Sequence, residues 1–453
     1  WRVSEEPWMK WSEEWLDNFK IRLSAGSMGN GNVDPYSYTS EMTVATASNI
    51  VLGGGLPSYT TVGSTVPVSL TWEKSTTYDL GLDLDFLNNR LSFSGDYYRR
   101  YTTDMYTPSI SLPSVYGTTS PKGNNAELRT TGWELSLTWR DSFKLGGKPF
   151  DYSIKAMVWD NRTVVTKYEN ATRSLGTLKG YIQNGGSPSD FYEGMELGEM
   201  WGYTVAGLFR DQADIDSSAT HDFTQASDKV TRPGQVKIAD LDHNGNIDPG
   251  AFTADDHGDL SIIGNINPHY MFGVNLAANW NGIGLSVFLQ GVMKRDWYPS
   301  PDSGYFWGKY ARPFMWVLGI HNYTDDMYSK EKNNWDTAYW PRMTTYQSNS
   351  SYSWTKLLEI PNTRYKQNAA YLRVKNIQVD YTFPKALCQK IRLGGLKIYL
   401  SGENLFTFTP LHKYAPNFDP EALGYDTDFS STAGDGYTYP VLKSVTLGVN
   451  ITF

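Results

Sequence analysis

Long stretches of the chain alternate strictly between apolar and polar residues. In the final stretch, SVTLGVNITF at 444–453, every second residue is apolar, namely Val445, Leu447, Val449, Ile451 and Phe453. The same alternation runs through TYDLGLDLDF at 77–86 and, after an Asn88–Asn89 turn, through LSFSGDYYRR at 91–100. Successive side chains of a strand point to opposite faces, so each arm predicts a strand with one apolar face. Arms of about ten residues match tilted strands that cross a bilayer.

Acidic residues occupy the polar face of the first hairpin, at Asp79, Asp83 and Asp85. Aspartate is a poor strand former, and it cannot lie unpaired in the dry core of a soluble sandwich. It is accommodated if that face lines water. The pattern therefore predicts an all-β fold, a transmembrane antiparallel β-barrel with an apolar outside and a polar lumen. The alternative is a soluble or surface-attached all-β protein that binds glycans or acts on them.

Further segments predict hairpins of the same kind. YMFGVNLAANW at 270–280 leads into Asn281–Gly282, a strong hairpin dipeptide, and the chain returns through IGLSVFLQ at 283–290. The apolar positions of 133–139 are expected to pair with those of 152–158 across a short link that contains glycine. In YLRVKNIQVDYTF the alternation changes phase at Lys375–Asn376, which predicts a β-bulge.

The predicted connections fall into two classes. Short ones are expected at 87–90, 281–282, 141–149 and 384–395. Long ones, rich in Tyr, Trp, Asn, Gly and Pro, are expected at 104–130, 164–199 and 296–368. Short turns on one side and long extracellular loops on the other are typical of outer-membrane barrels.

Composition agrees with a membrane interface or a sugar-binding cleft. Aromatic residues make up 15% of the 453 residues, with 31 Tyr and 16 Trp. Such side chains suit places where one end is dry and the other wet. The net charge of −8 disfavours nucleic acid as a partner. The six histidines lack HExxH spacing and GxSxG is absent, so no enzymatic activity is predicted.

Several stretches, in chain order, resemble the SusC/RagA family of TonB-dependent outer-membrane transporters. They include NFKIRLSAGSMGNGN, NNAELRTTGWELSLTWRD, KIADLDHNGNID, SGENLFTFTPL and the terminal VTLGVNITF, and the similarity covers the whole chain. The resemblance implies the C-terminal part of a 22-stranded barrel with a plugged lumen. It also implies a plug domain and a TonB-contacting segment upstream of Trp1.

The same resemblance implies a function and partners. The function is active import of oligosaccharides, or of peptides, across the outer membrane of a Gram-negative, Bacteroidetes-like bacterium. The implied partners are a SusD-like lipoprotein lid, TonB and the membrane lipid, and a dimer of transporter–lid pairs is left open. No cofactor is required. A passive, porin-like channel is a further alternative.

The terminal aromatic has two interpretations. By resemblance, Phe453 ends the closing strand and is a signal for the barrel-insertion machinery. It is also simply the last apolar residue of a lipid-facing row.

The connection 296–368 is the predicted ligand-contacting region. Aromatic faces stack on sugar rings, while nearby Arg and Asn side chains bond hydroxyl groups. The alternative is that the aromatic residues pack the loop against itself, the lid or the lipid headgroups. The candidate contacts are Trp297, Tyr298, Phe306, Trp307, Arg312, Trp316, Trp335 and Trp340.

The segment DLDHNGNID at 240–248 predicts a structural calcium site. Asp240, Asp242 and Asn244 stand at alternate positions, Gly245 permits a sharp turn, and Asn246 offers its backbone carbonyl, as in the first half of a calcium loop.

The closing ligand of this loop is displaced. Its twelfth position is Ala251, and the resemblance implies Asp259 instead, ahead of Ile262–Gly264, with Asp248 as a direct or water-bridged ligand. Asp255 and Asp256 are rivals for that closing role. The alternative is an Asx-rich turn with no ion.

Overall fold

Ten long strands form one antiparallel sheet. The computed structural model describes residues 1–31, 39, 42–63, 70–108, 122–175, 191–221, 231–299, 306, 326–342, 361–423 and 439–453. With the strands numbered along the chain, the order across the sheet is β1-β4-β5-β6-β7-β12-β13-β16-β17-β18. Their bounds are β1 Leu16–Asn30, β4 Glu73–Phe86, β5 Leu91–Pro108, β6 Lys122–Leu145, β7 Lys148–Lys167, β12 His269–Trp280, β13 Ile283–Lys294, β16 Tyr371–Thr382, β17 Gly395–Phe408 and β18 Ser444–Thr452.

Eight short strands form four separate two-stranded ladders. These are β2 Met42–Thr46 with β3 Ser58–Val62, β8 Glu199–Tyr203 with β11 Leu260–Asn265, β9 Val205–Leu208 with β10 Val236–Ile238, and β14 Asp296–Trp297 with β15 Gln367–Asn368. The described helices are short: α1 Gln212–Asp216, α2 Lys385–Lys390, and 3-10 turns at Val3–Glu5, Pro7–Ser12 and Pro410–Lys413.

The register of the sheet confirms the predicted two faces. Leu80 pairs with both Leu23 and Tyr97, and Leu135 pairs with Val158, so apolar residues face apolar residues across neighbouring strands. Opposite partners in a ladder share a face, so the apolar residues form continuous rows on one side of the sheet.

The predicted tight turns are where the sequence placed them. Leu87, Asn88 and Asn89 all adopt positive φ between β4 and β5. Asn281 and Gly282, at φ 49 and 87, join β12 to β13 in the two-residue geometry that such a dipeptide favours. The connection predicted at 384–395 is less simple than a turn, because it contains α2, in which Cys388 is buried.

The predicted β-bulge is confirmed. The pairing of β16 with β17 shifts between Val374 and Asn376, which leaves Lys375 as the extra residue. The same residue is skipped against β13, where Asn376 and Val374 face the consecutive residues Phe288 and Leu289.

Strands extend further than the apolar alternation indicated. β5 continues to Pro108 and β6 starts at Lys122, so 104–108 and 122–130 of the loop predicted at 104–130 are strand. The link predicted at 141–149 contracts to Gly146–Gly147, at φ 58 and 79. These extensions are rich in Thr, Asn and Lys, residues whose polarity suggested a loop.

The largest hydrophobic core of the described residues lies in the long connections, at the end of the sheet opposite the tight turns. It joins residues of β8, β9, β10 and β11 to 297–298, 327–340, 365–369 and 411–423. Backbone bonds attach it to the sheet, for example Leu197 N–H to the Thr163 carbonyl at 2.8 Å and Gly194 N–H to the Val165 carbonyl at 2.9 Å. The described parts of the long connections therefore share a hydrophobic core of their own.

Candidate functional site

On the inner face of the sheet, opposite the apolar rows, Arg22 is neutralised by carboxylates of two neighbouring strands. Arg22 of β1 donates from Nε to Asp83 Oδ2 at 2.9 Å and from Nη2 to Asp96 Oδ2 at 3.0 Å, so it connects three strands. The Ser94 hydroxyl donates to the same Asp83 at 2.8 Å. The polar face predicted from alternating aspartates is therefore a hydrogen-bonded ionic ladder.

Gly81 makes this ladder geometrically feasible. It lies between Arg22 and Asp96 in the register. A Cβ at Gly81 would stand 2.5 Å from both the Arg22 guanidinium carbon and Asp96 Oδ1. The arginine crosses the sheet because this position has no side chain. The sequence analysis identified the aspartates but not Arg22, whose partners depend on register.

A second inner-face network fixes a long connection to the sheet. Arg373 of β16, only 3% exposed, donates to Glu421 Oε2 at 2.8 Å and also pairs with Asp419. Lys375, the bulge residue, contacts the same Glu421 at 2.9 Å. Burial opposes ionisation of Asp419, but the Glu421 N–H, Arg373 and the Val441 N–H outweigh it, so the pKa of Asp419 lies below its usual value.

The acidic segment at 240–248 folds as a turn stabilised by its own side chains. Asp240 accepts a hydrogen bond from the Gly245 N–H at 3.0 Å, and Asp242 accepts one from the Asn244 N–H at 3.0 Å. Gly245 adopts φ 86, the sharp turn that the sequence predicted. Asn244 directs its amide group to Asp242 at 2.9 Å and to Asp248 at 3.2 Å.

Asp259 closes this loop from a distance in sequence. Its two carboxylate oxygens accept the Leu241 N–H at 2.6 Å and the Asp248 N–H at 2.9 Å. One oxygen each of Asp240, Asp242 and Asp259 lies within 4.8 Å of the other two. Three of the six predicted calcium ligands are thus brought together.

The chemistry of this cluster fits a hard cation. Asp240 Oδ1 is buried and accepts no hydrogen bond from the described residues. The neighbouring carboxylates of Asp242 and Asp259 cannot donate one when they are ionised. Burial of the Asp259 carboxyl, together with the charges of Asp242 and Asp240, raises its pKa above the usual 3.8. Calcium takes six to eight oxygen ligands, so carboxylates, backbone carbonyls and water would have to complete the set.

The rival closing residues are directed elsewhere. Asp255 forms an ion pair with Arg173, and Asp256 does not belong to the carboxylate group formed by Asp240, Asp242 and Asp259. Asp248 accepts from the Gly250 N–H at 2.7 Å and lies beside the group rather than in it. Of the acids considered, the geometry favours Asp259 as the closing ligand.

The predicted ligand-contacting aromatics that the structure describes are mostly interior. Trp297, Phe306 and Trp340 are 5%, 0% and 1% exposed, and Phe306 contacts the other two with ring centroids 6.2 and 5.4 Å away. The Tyr298 hydroxyl accepts a hydrogen bond from the Asn362 amide at 2.7 Å. A covered ring has no face for a sugar, so in this conformation these four residues pack the loop core, as the alternative interpretation proposed.

The other candidate contacts divide into two groups. Trp335 is only partly buried against the same core and keeps open surface. Trp307, Arg312 and Trp316 lie outside the described residues.

The chain ends on the outward side of the sheet. β18 alternates up to Thr452, and Leu447, Val449 and Ile451 face outward with the apolar rows of β17. Phe453 follows directly and is 94% exposed.

The outward face is apolar over the width of the sheet. Leu80, Leu137, Leu400 and Leu447 are 50%, 47%, 53% and 72% exposed, each on a different strand. Within the described ranges, no helix is both long enough and apolar enough to span a membrane. Antiparallel strands that are apolar on one face and charged on the other form the wall of an outer-membrane barrel.

Comparison with known proteins gives the family. Residues 10–236 match the family model described as TonB dependent receptor-like, beta-barrel, and the chain belongs to this family. TonB-dependent receptor P3 of Formosa agariphila is 27% identical over 466 residues, covering 100% of this chain and 41% of that protein. TonB-dependent receptor SusC of Bacteroides thetaiotaomicron is 24% identical over 469 residues, covering 100% of this chain and 39% of that protein. The chain thus spans about two-fifths of the length of these relatives.

Solved structures show the same fold. The RagAB peptide importer in the 'open-open' state matches with a TM-score of 0.70 at 21% identity, covering 100% of this chain and 42% of that chain. Its 'closed-closed' state gives a TM-score of 0.65 at 19% identity with the same coverage. The predicted all-β barrel fold and the SusC/RagA resemblance are therefore confirmed.

Proposed function

We propose that this chain forms wall and extracellular loops of an active importer in the outer membrane of a Bacteroidetes-like bacterium. Energy would come from TonB through a plug and TonB-contacting segment upstream of Trp1. The observation that carries the proposal is similarity over the whole chain to TonB-dependent receptors, SusC among them. The ion pairs of Arg22 with Asp83 and Asp96 support it, because they give the inner face a polar, hydrated surface.

The proposed substrate is an oligosaccharide, with a peptide as the second candidate. The family resemblance of the sequence implies the first, and similarity to the RagAB peptide importer favours the second. SusC and RagAB both support a SusD-like lipoprotein lid as partner, and dimers of transporter–lid pairs are compatible with it. Of the predicted contact residues that the structure describes, Trp335 is the one that keeps open surface, and we propose it as a cargo contact.

Purification of the tagged natural protein from its own outer membrane tests the proposal. We expect an intact mass far above 51.1 kDa and a co-purifying lipoprotein in comparable amount. Uptake of labelled oligosaccharides and peptides by wild-type and deletion strains then identifies the cargo class. Uptake that persists after removal of TonB would instead support the passive, porin-like channel, and glycan turnover by the purified protein would support a surface enzyme.

We also propose that Asp240, Asp242 and Asp259 hold a calcium ion, with Asn244, Asn246 and Asp248 completing the loop. The ion would be structural, since it would connect the turn after β10 to the start of β11. A density map of this loop determined in millimolar calcium tests the site. Oxygen-only coordination at about 2.3–2.6 Å is expected, and an ordered loop without an ion would contradict it.

We further propose that Phe453 is an insertion signal. Phe453→Ala is expected to lower the fraction of protein that assembles into the outer membrane. Val449→Ala, in the same outward row, is the matched control. If the two variants assemble equally, Phe453 is only a lipid-facing residue and not an insertion signal.

A further inference from the structure

Three arginines of β5, β6 and β7 lie on the outward face of the sheet, at the end nearer the long loops, and of these Arg162 is paired with Glu196. In β5, Arg99 continues the outward row of Phe93 and Tyr97, and it faces Tyr78 on one side and Thr131 on the other. Arg129 follows two residues from Thr131 in the same row of β6. Diagonal neighbours of this kind are about 7–8 Å apart. Both side chains are exposed.

The carboxylates nearest to this position already have partners. Within the described residues, neither Arg99 nor Arg129 forms an ion pair with an acid, in contrast to Arg22 on the inner face. The neighbouring acids bond elsewhere: Glu127 to Lys167 at 3.8 Å, Glu196 to Arg162 at 2.8 Å, and Asp160 to His269 at 2.8 Å. Among the described residues, the two guanidinium groups therefore have no anionic partner.

Tyrosines surround Arg99 at the depth where the apolar rows end. Arg99 Nη2 donates to the Tyr97 hydroxyl at 3.3 Å, and the Tyr78 and Tyr101 rings meet with centroids 6.4 Å apart. These residues line a shallow groove of about 740 Å³ that continues down the sheet over Leu23 and Leu80. The groove thus has one arginine and three tyrosines along its upper part and leucines below, and Asp79 and Ser24 also belong to its lining.

We propose that Arg99 and Arg129 bind the phosphate-bearing headgroup of an outer-leaflet glycolipid, with its acyl chains lying over the leucines. Arginine presents paired N–H groups that match phosphate oxygens, and tyrosine hydroxyls add donors at the interface. Tight turns mark the periplasmic side of a barrel, so the arginines lie at the outer-leaflet level. The inference rests on the proposed outer-membrane location and is independent of what is transported.

Binding of monophosphoryl lipid A to the delipidated, full-length transporter, measured by native mass spectrometry, tests the site. The R99Q/R129Q double variant is expected to bind at least about tenfold more weakly, since hydrogen bonds to charged groups are lost. R100Q is the matched control, because Arg100 lies at the same depth but on the inner face, where it contacts Thr77. Equal binding by wild type and the double variant, or an equal loss in R100Q, would overturn the proposal.

Two further comparisons separate this site from general attraction of arginine to a membrane surface. Dephosphorylated lipid A should bind wild type as weakly as the double variant binds the phosphorylated form, and R99K/R129K should bind at an intermediate level. Inorganic phosphate at about ten times the lipid concentration should not displace the lipid; full displacement would mean that a free anion, not a lipid, is bound. Heat-dependent gel mobility shows that each variant is folded, and uptake assays stay separate from this measurement.

Discussion

Replacing Asp259 by Asn changes the proposed calcium site at its most buried position. Asp259 is 0% exposed, and its carboxylate lies within 4.8 Å of those of Asp240 and Asp242. At an effective dielectric constant of about 20, two unit charges about 5 Å apart repel by about 3 kcal/mol. A loop with three such carboxylates is therefore costly without a cation, and binding of calcium at a hundredfold excess over Kd would stabilise it by about 2.7 kcal/mol.

The substitution Asp259→Asn has two opposing effects. It removes one charge from the group, which relieves repulsion when calcium is absent. It also leaves one of the two N–H groups, of Leu241 or Asp248, without an acceptor, which costs about 1–3 kcal/mol. In calcium, the variant additionally loses a ligand, so the stabilisation by calcium should disappear.

Hydrogen exchange of peptides covering 240–259, with calcium or with chelator, measures this difference. In the wild type, calcium should raise the free energy of local opening of this segment by about 2–3 kcal/mol relative to chelator. In the variant, the two buffers should give the same free energy of opening. Asp255→Asn is the control, because Asp255 pairs with Arg173 outside the group and should leave the calcium effect intact. Equal protection of wild type in both buffers, or a full calcium effect in Asp259→Asn, would refute the reasoning.

Three other predictions test the networks and the two faces. Arg373→Met leaves the buried Asp419 carboxylate without its cation, so the attachment of 409–423 should weaken by about 3–5 kcal/mol, seen as faster proteolysis of that segment. Unchanged cleavage would contradict a stabilising role. The lowered pKa of Asp419 means that its ionised form contributes stability above the unfolded value of 3.8, and this contribution is lost as pH falls through the lower folded value. Exchange of 409–423, corrected for its intrinsic rate, should therefore accelerate on acidification in wild type but less in Asp419→Asn. Leu447→Arg puts a charge on the lipid-facing row, so the folded barrel should lose about 2–4 kcal/mol of stability. This loss is measured by heat-dependent gel mobility. Thr446→Arg, one residue away on the lumen side, should cost much less, and equal losses would refute the assignment of faces.

Most of the sheet could be predicted because its determinants are local. A period of two, an Asn-Gly dipeptide and one phase change located the faces, the turn at 281–282 and the bulge at Lys375. The ends of the strands were harder to predict from the sequence. β5 and β6 continue into polar residues, whose pairing is fixed by the neighbouring strand rather than by their own sequence.

The candidate site was only partly predictable. The spacing of Asp240 and Asp242 is local, and both were identified, but Asp259 came from resemblance because its approach depends on the ladder between β8 and β11. For the aromatic residues of 296–368, the sequence gives the residue type but not whether the side chain is buried. Trp340 and Trp335 carry the same side chain, and only the packing of distant segments makes one 1% exposed and leaves the other partly open.

Charge on the two faces shows why register matters more than composition here. Arg22 and Arg99 both lie in strands of the same sheet, at alternating positions that the sequence reveals equally well. Register places Arg22 opposite Gly81 and beside Asp83 and Asp96, so its charge is neutralised within the wall. Register places Arg99 among tyrosines, with no carboxylate of the described residues paired to it. A guanidinium group without a carboxylate partner among the described residues keeps N–H donors that match a phosphate from outside the chain, which is the basis of the proposed lipid site. The inner arginine thus joins three strands of the wall, whereas the outer arginine is the one for which we proposed a lipid phosphate as partner.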